Sequence, residues 1–339
     1  MNNRLCGMTS DELSKFISPF GFDQGETAKV LLGIYRKGVK DISQISGIPK
    51  TLKKLLESDF ITGIYTSVSS QKSTDNTIKY LFRNDKGLEF ETVYLPDNKR
   101  KTVCVSTQAG CRMGCPFCMT GRYGFKGNLS AGDIINQIIS LPQSADVSHV
   151  VFMGMGEPMD NVEEVLKSCK ILISDWGLSI GSRNITVSTV GILPGLLEFL
   201  KRSDCNLTLS LHSPFPEERR RVVPAEINYP AQNLIDLMKS YPRVKKRRLS
   251  IAYVMIMDIN DSDRHLVALK ALLKDSPIRV NILPYHKVND DPNRSSTEER
   301  MQFFKHELII SGISASIRKS RGEDISAACG LLASGLGQK

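Results

Sequence analysis

Along the last two thirds of this chain, short apolar runs alternate with amphipathic stretches in a regular beat. The spacing predicts strands at residues 102–106, 149–153, 184–188, 206–211, 250–255 and 279–283. Helices are expected at 131–141, 162–174, 193–201, 231–240, 263–274 and 297–311, where apolar residues recur every three to four positions. A β-then-α rhythm predicts a parallel sheet with helices outside it. Six strands starting at Thr102 would make a partial (β/α)6 barrel, and residues 315–318 supply a final strand. Upstream, residues 78–82 and 89–95 alternate as paired strands do, a short β-extension of the barrel. The first 85 or so residues read as mostly helical, with a helix start at Ser10 or Asp11 and further helical patterns at 28–35 and 49–58. The expected organisation is α/β, with a helical accessory domain over 1–85 and the barrel domain over 86–339.

Composition changes this picture little. Hydrophobic residues make up 41% and charged residues 24% of the 339 positions, the balance of a globular protein too long for one small core. The formal net charge of +9 concentrates at residues 98–101, at Arg219-Arg220-Arg221 and at 243–248. Clusters of that kind suit a polyanion such as RNA, although each by itself equally fits a solvated loop or helix end. Lys50, Lys53 and Lys54 give the helical region a basic face, with a structural role just as consistent. The N-terminus has no apolar signal core, and no stretch has the length of a membrane span. A cytoplasmic location without a membrane partner is therefore expected, and in that compartment clustered cysteines read as metal-binding or catalytic groups.

The chemistry concentrates in one loop. Cys111, Cys115 and Cys118 form a C-x₃-C-x₂-C run interrupted by Gly114 and Pro116, which oppose a helix. Three thiolates are one short of the usual set for structural zinc or a cubane iron–sulfur cluster. Either a distant residue completes a zinc site, or a cluster keeps one iron open to a ligand. Other polar residues fall at the carboxyl ends of the predicted strands, where an α/β barrel places its active site. They are Gly154 and Gly156 with Glu157, then Ser188, then Ser210-Leu211-His212, then His286. The glycines would admit a ligand close to the backbone, and Glu157 would accept a hydrogen bond from an ammonium group. Cys104 precedes the cysteine loop on its strand, and Cys329 lies in a small-residue turn near the C-terminus. Cys6, Cys169 and Cys205 read as small buried hydrophobes.

The cysteine loop, Gly154-Met155-Gly156-Glu157-Pro158, Val187-Ser188-Thr189, Ser210-Leu211-His212 and Arg321-Gly322-Glu323-Asp324-Ile325-Ser326-Ala327-Ala328-Cys329-Gly330 together resemble the RlmN/Cfr radical S-adenosylmethionine (AdoMet) RNA adenosine methyltransferases. The resemblance runs in order from about Glu89 to the end of the chain. It implies a [4Fe-4S] cluster on Cys111, Cys115 and Cys118, with AdoMet on its open iron, and two AdoMet consumed per methylation. Gly156, Glu157, Ser188, Ser210, Leu211, His212 and His286 would line the AdoMet site; His286 replaces the family's usual Asn and offers a different hydrogen-bond geometry. Cys329 would carry the methyl group as S-methylcysteine, Glu91 would act as general base, and Cys104 would release the product by forming a disulfide with Cys329. The implied substrate is adenosine 2503 of 23S rRNA at C2, with adenosine 37 of some tRNAs as a second target. The implied setting is a monomer fed by an external donor such as a flavodoxin system. His212-Ser213-Pro214-Phe215 resembles the branch that methylates C8 and confers antibiotic resistance, whereas Arg294-Ser295-Ser296 and residues 318–322 resemble the C2 branch, which we favour. The remote alternative is a zinc-stabilised, non-catalytic RNA-binding protein.

Overall fold

The computed structural model describes residues 3–98, 100–242, 247–288 and 291–333. Its frame is a ten-stranded sheet in simple sequence order. The strands are β1 (Ser69–Lys72), β2 (Ile78–Arg83), β3 (Glu89–Pro96), β4 (Lys101–Cys104), β5 (His149–Phe152), β6 (Ile185–Thr189), β7 (Asn206–Ser210), β8 (Leu249–Met255), β9 (Arg279–Pro284) and β10 (Ala315–Ile317). From β4 to β10 every neighbouring pair is parallel. The strands from β1 to β4 pair antiparallel, so the sheet changes sense at β4. Along the parallel strands buried apolar residues alternate with half-buried ones, as in Ile185-Thr186-Val187-Ser188-Thr189, so one side of each strand packs into the core. Val103, Val150, Phe152, Ile185, Val187, Leu207, Leu209, Ile251, Val280 and Ile282 are all buried.

The helices that follow are α1 (Ser10–Ile17), α2 (Gln24–Tyr35), α3 (Lys50–Asp59), α4 (Met119–Tyr123), α5 (Ala131–Ile139), α6 (Val162–Ile173), α7 (Leu193–Arg202), α8 (Pro216–Val222), α9 (Ala231–Ser240), α10 (Asp263–Leu273) and α11 (Glu298–Ile310). Capping boxes start α1, α2 and α5, from Thr9, Asp23 and Ser130. Each such cap contributes about 1 kcal/mol. The first helix is thus capped by Thr9, one or two residues before the expected Ser10 or Asp11. Helices α4 and α8 were not expected. The five residues of α4 include Gly121, and α8 reads in sequence as a charge cluster.

The N-terminal helices do not stand apart from the barrel. Helix α5 is buried along its whole length. Gly7 and Gly132 meet so closely that a Cβ on Gly7 would lie 2.6 Å from the Gly132 nitrogen. Leu5, Leu13 and Leu31 belong to the same contiguous apolar core as Val103 and Phe304. The β1–β2 hairpin, on the N-terminal side of residue 86, is hydrogen-bonded directly to β3.

Candidate active site

The carboxyl ends of the parallel strands form one rim. Beyond β5 the chain turns through Gly154 and Gly156 against the segment that leads into the cysteine loop. A Cβ on Gly154 would lie 2.7 Å from the Val105 carbonyl oxygen, and Gly156 has φ 98° with Gln108 just as near. The Met155 carbonyl accepts the N–H groups of Thr107 and Gln108 at 2.8 and 3.2 Å. This turn therefore requires glycine for backbone packing, whatever it also does for a ligand.

Glu157 is buried and well bonded. Its Oε1 accepts the Met159 N–H at 2.9 Å and the Thr189 hydroxyl at 2.5 Å, and its Oε2 accepts the Val190 N–H at 2.9 Å. Burial raises its pKa to about 7, against the opposing pull of those hydrogen bonds. A carboxylate offers about four acceptor directions, so one remains for a ligand donor. Ser188 and Ser210 are half-buried at the ends of β6 and β7, and Leu211 is fully buried. His212 adopts φ 60°, held by Asn260 Nδ2 donating to its carbonyl at 2.6 Å. Its Nδ1 accepts the Val254 N–H at 3.0 Å, which leaves Nε2 as the protonated ring nitrogen. Burial, and then the Arg219 charge, lower its pKa to about 3, so the imidazole is neutral in the physiological range.

Arg219 corrects the sequence reading. It belongs to one of the three basic clusters, yet it is fully buried while Arg220 and Arg221 are exposed. It pairs with Glu226 and donates to the carbonyls of Val190, Ser210 and Leu211 at 2.9, 2.9 and 3.1 Å. One guanidinium thus ties together the ends of β6 and β7, a role for which its five fixed donors suit arginine. Of the other clusters, Lys99 and residues 243–246 lie outside the described residues, and Arg100 and Arg248 are exposed. Lys53 donates to the Ser43 carbonyl at 2.5 Å, and Lys50 and Lys54 are exposed.

The cysteine loop is a loop, as its glycines and proline predict, and Cys118 caps α4. Gly110 and Gly114 have positive φ, and a Cβ on Gly110 would overlap the Gly124 carbonyl. Burial raises the Cys111 thiol to about 12 and the Cys115 thiol well above its ordinary value, with the charges of the other loop thiols adding to the rise at Cys115. Among the described residues no three His, Cys, Asp or Glu side chains already stand at distances that a metal ion would span. The donor chemistry fits an iron–sulfur cluster: three soft ligands on one loop, near enough to raise one another's pKa, with cationic Arg219 beside Cys115. When bound, such a cluster and AdoMet supply one-electron reductive cleavage to a carbon radical.

The C-terminal segment, residues 318–333, crosses the rim as a strap. The Gly330 carbonyl accepts the Met119 N–H at 2.7 Å, and the Leu332 carbonyl accepts the Thr120 hydroxyl at 3.0 Å. The Ala333 N–H reaches Glu91 Oε2 at 2.7 Å. Glu91 is buried, and its Oε1 pairs with Lys79 at 3.1 Å. Cys329 is exposed on the strap. It opens to solvent on one side, while the protein on its other sides raises its thiol pKa against the pull of Arg318. Cys104 is buried on β4; burial and then the neighbouring Cys329 push its thiol up. Cys329 also feels Cys118. The strap therefore lies against the cysteine loop, where Gly330, next to Cys329, bonds Met119 and packs on the Phe117 carbonyl, and the charge of Cys329 is felt at Cys104.

Not every expected site residue faces the rim's interior. His286 is buried, with Nε2 3.3 Å from the Ser320 hydroxyl and Nδ1 3.7 Å from Glu323, so it faces the strap. Burial lowers its pKa. Sequence reasoning did not show the partners of Arg219, Lys79 and Arg318, because a basic residue inside a strand or charge run is indistinguishable there from surface charge.

Residues 105–273 match the family model of the radical SAM superfamily. The chain is 43% identical to a probable dual-specificity RNA methyltransferase RlmN of Parabacteroides distasonis, over 97% of this chain and 96% of that one. It is 40% identical to the protein of the same description from Phocaeicola vulgatus, over 99% and 96%. The crystal structure of a radical SAM methyltransferase from Sphaerobacter thermophilus superposes with a TM-score of 0.90 at 35% identity, covering 98% of this chain and 99% of that one.

Proposed function

The chain belongs to the radical-SAM RNA methyltransferases of the RlmN type, and from that premise we propose that it methylates adenosine 2503 of 23S rRNA, and adenosine 37 of some tRNAs, at C2. The observation that supports this reading best is the strap laid on the cysteine loop, with Gly330, next to Cys329, accepting the Met119 N–H next to Cys118. An adenine C2 is not nucleophilic, so ordinary polar methyl transfer does not reach it. A protein-bound one-carbon carrier does.

Cys329, as thiolate, takes a methyl group from one AdoMet and becomes S-methylcysteine. Loss of one hydrogen atom from that methyl leaves a carbon radical on the Cys329 side chain, which adds to the adenine carbon. Glu91 takes the proton from that carbon. The adduct also gives up its unpaired electron, for which the cluster would be the acceptor. Cys104, as thiolate, then attacks the Cys329 sulfur. The carbon keeps the electron pair of the broken carbon–sulfur bond, and it takes up a proton to release the methylated base. The Cys104–Cys329 disulfide is returned to two thiols by an external two-electron dithiol reductant. Cys111, Cys115 and Cys118 hold the cluster; Gly156, Glu157, Ser188, Ser210, Leu211 and His212 line the AdoMet pocket. His286 touches the strap and contributes at the edge of that pocket. Helices α1–α3 act as an accessory unit toward RNA, and the enzyme works in the cytoplasm as a monomer fed by a flavodoxin-type donor. No described helix is long and apolar enough to cross a membrane.

The test is anaerobic reaction of the reconstituted protein with AdoMet, a reductant and either 23S rRNA or tRNA, followed by nucleoside mass spectrometry. The expected product is 2-methyladenosine. Detection of 8-methyladenosine instead would assign the chain to the C8 branch, and unmodified adenosine with an intact cluster would refute the substrate.

A further inference from the structure

The strap that bears Cys329 has little regular structure. It contains one 3-10 turn, Glu323–Ile325, flanked by left-handed Gly322 (φ 62°) and Ser326 (φ 52°). What fixes its base comes from the opposite end of the sheet, the turn joining β1 and β2. Ser73 donates its hydroxyl to Asp324 Oδ1 at 2.6 Å, and the Thr74 N–H donates to Asp324 Oδ2 at 3.1 Å. In return the Gly322 N–H donates to Asp75 Oδ2 at 3.0 Å. Each side thus accepts a backbone N–H of the other on a carboxylate, a charge-assisted bond stronger than a neutral one. The Asp75 N–H and the Thr77 N–H are both satisfied inside the turn, at 3.2 and 2.8 Å, so the turn is preformed for its partner. Arg321 adds a bond to the Pro96 carbonyl at 2.9 Å. The fit is close: a Cβ on Gly322 would lie 2.8 Å from Thr77 Cγ2 and 2.9 Å from Ala327 Cβ.

We propose that this reciprocal contact is a clasp that presents Cys329, with Asp75 and Asp324 as positioning residues for the reactive thiol. The inference rests on the role assigned to Cys329 above, and it gives the antiparallel hairpin a task in the reaction. Only four residues separate Asp324 from Cys329 along the chain, and Gly330 is bonded to Met119 just past the thiol, so loss of the clasp leaves Cys329 held from its C-terminal side alone and free to shift. Both carboxylates are held below their ordinary range. Burial works to raise Asp75, but bonds from Thr77, Gly322 and Ser73 bring it down to about 2; bonds from Ser73 and Thr74 lower Asp324. The clasp is therefore charged throughout the working pH range.

The experiment uses the full chain with its cluster reconstituted, as Asp75→Ala, Asp324→Ala and the double variant. Three quantities are read: thermal unfolding with cluster absorbance, the rate of Cys329 alkylation by iodoacetamide followed by peptide mass spectrometry, and turnover on RNA. Each single variant is expected to keep its cluster and melting temperature, to alkylate Cys329 several-fold faster, and to lose roughly tenfold to a hundredfold in turnover, the scale of a misplacement near 1 Å. The double variant should match the worse single one, because either substitution opens the same clasp. Asp324→Asn, which keeps one acceptor oxygen, should recover part of the loss. Unchanged alkylation would overturn the proposal, whether turnover stays high or falls together with the melting temperature. Alkylation reports where the thiol is held and not what it does. A fully active Cys329→Ala variant would therefore sink the two-cysteine reaction without touching the alkylation result.

Discussion

Cys104 and Cys329, the two thiols of the proposed reaction outside the cysteine loop, live in opposite surroundings. Cys104 sits in β4, paired with Val93 of β3 on one side and with Val151 of β5 on the other. Its position follows from the whole sheet, and nothing short of unfolding the sheet moves it. Cys329 sits on a strap held by side-chain clasps and a few backbone bonds, among residues with positive φ. If the two are to exchange a disulfide and then part, the motion belongs to the strap. The sheet supplies a fixed sulfur and the strap a movable one, which suits the two tasks, carrier and release, that the proposed reaction gives the pair.

The sharpest way to break this contrast is to remove the movable sulfur. Cys329→Ala is expected to abolish methylated product while iron and sulfide content stay normal; full methylation of RNA by this variant would end the contrast. Removing the fixed sulfur has a different signature. Cys104→Ala should stop after a single event and accumulate a covalent protein–RNA adduct, visible as a shifted band on a denaturing gel. Arg219→Ala tests the rigid side as structure. It leaves Glu226 buried without its countercharge and should cost about 3–5 kcal/mol in urea unfolding, with Cys329 alkylation of the folded fraction unchanged. The smallest effect is a pH dependence at His212. Its folded pKa, about 3, lies below the ordinary 6.5, so the unfolded chain takes up the proton first. Its stabilising contribution is full above the ordinary value and is lost as pH falls toward the folded one. Between about pH 7.5 and 5, metal-free wild type should lose up to about 2 kcal/mol more than His212→Asn.

The rigid half was far more legible in the sequence than the movable half. Apolar residues at every second position mark the parallel strands, as in Ile185-Thr186-Val187 of β6 and Leu207-Thr208-Leu209 of β7. The helices between them carry their own period. The same rule explains the failures. Helix α4 is short, contains Gly121, and has its first N–H bonded to the Gly330 carbonyl, a partner no local pattern reveals. Three consecutive arginines look alike in sequence, and only packing shows that the first one points inward to Glu226. The cysteine loop stands out by type and spacing; for Cys104 and Cys329 it is the family resemblance that outweighs the reading of a small buried hydrophobe, and it supplies the roles. The contacts that place them were not readable, because Ser73 and Asp324 are 251 positions apart and both are ordinary turn residues.

That separation has a consequence for the chain as it is made. Strands pair with their sequence neighbours, so the sheet can be laid down one strand at a time during synthesis, with low topological cost at each addition. The last segment then returns to the first hairpin and to Glu91, 242 residues earlier. A chain that stops short of this return can pair most of its sheet, yet it lacks Cys329, the methyl carrier of the proposed reaction. In the proposed reaction, chemical competence thus waits on one long-range contact: Cys329 takes its place only when residues 318–333 reach the first hairpin and Glu91.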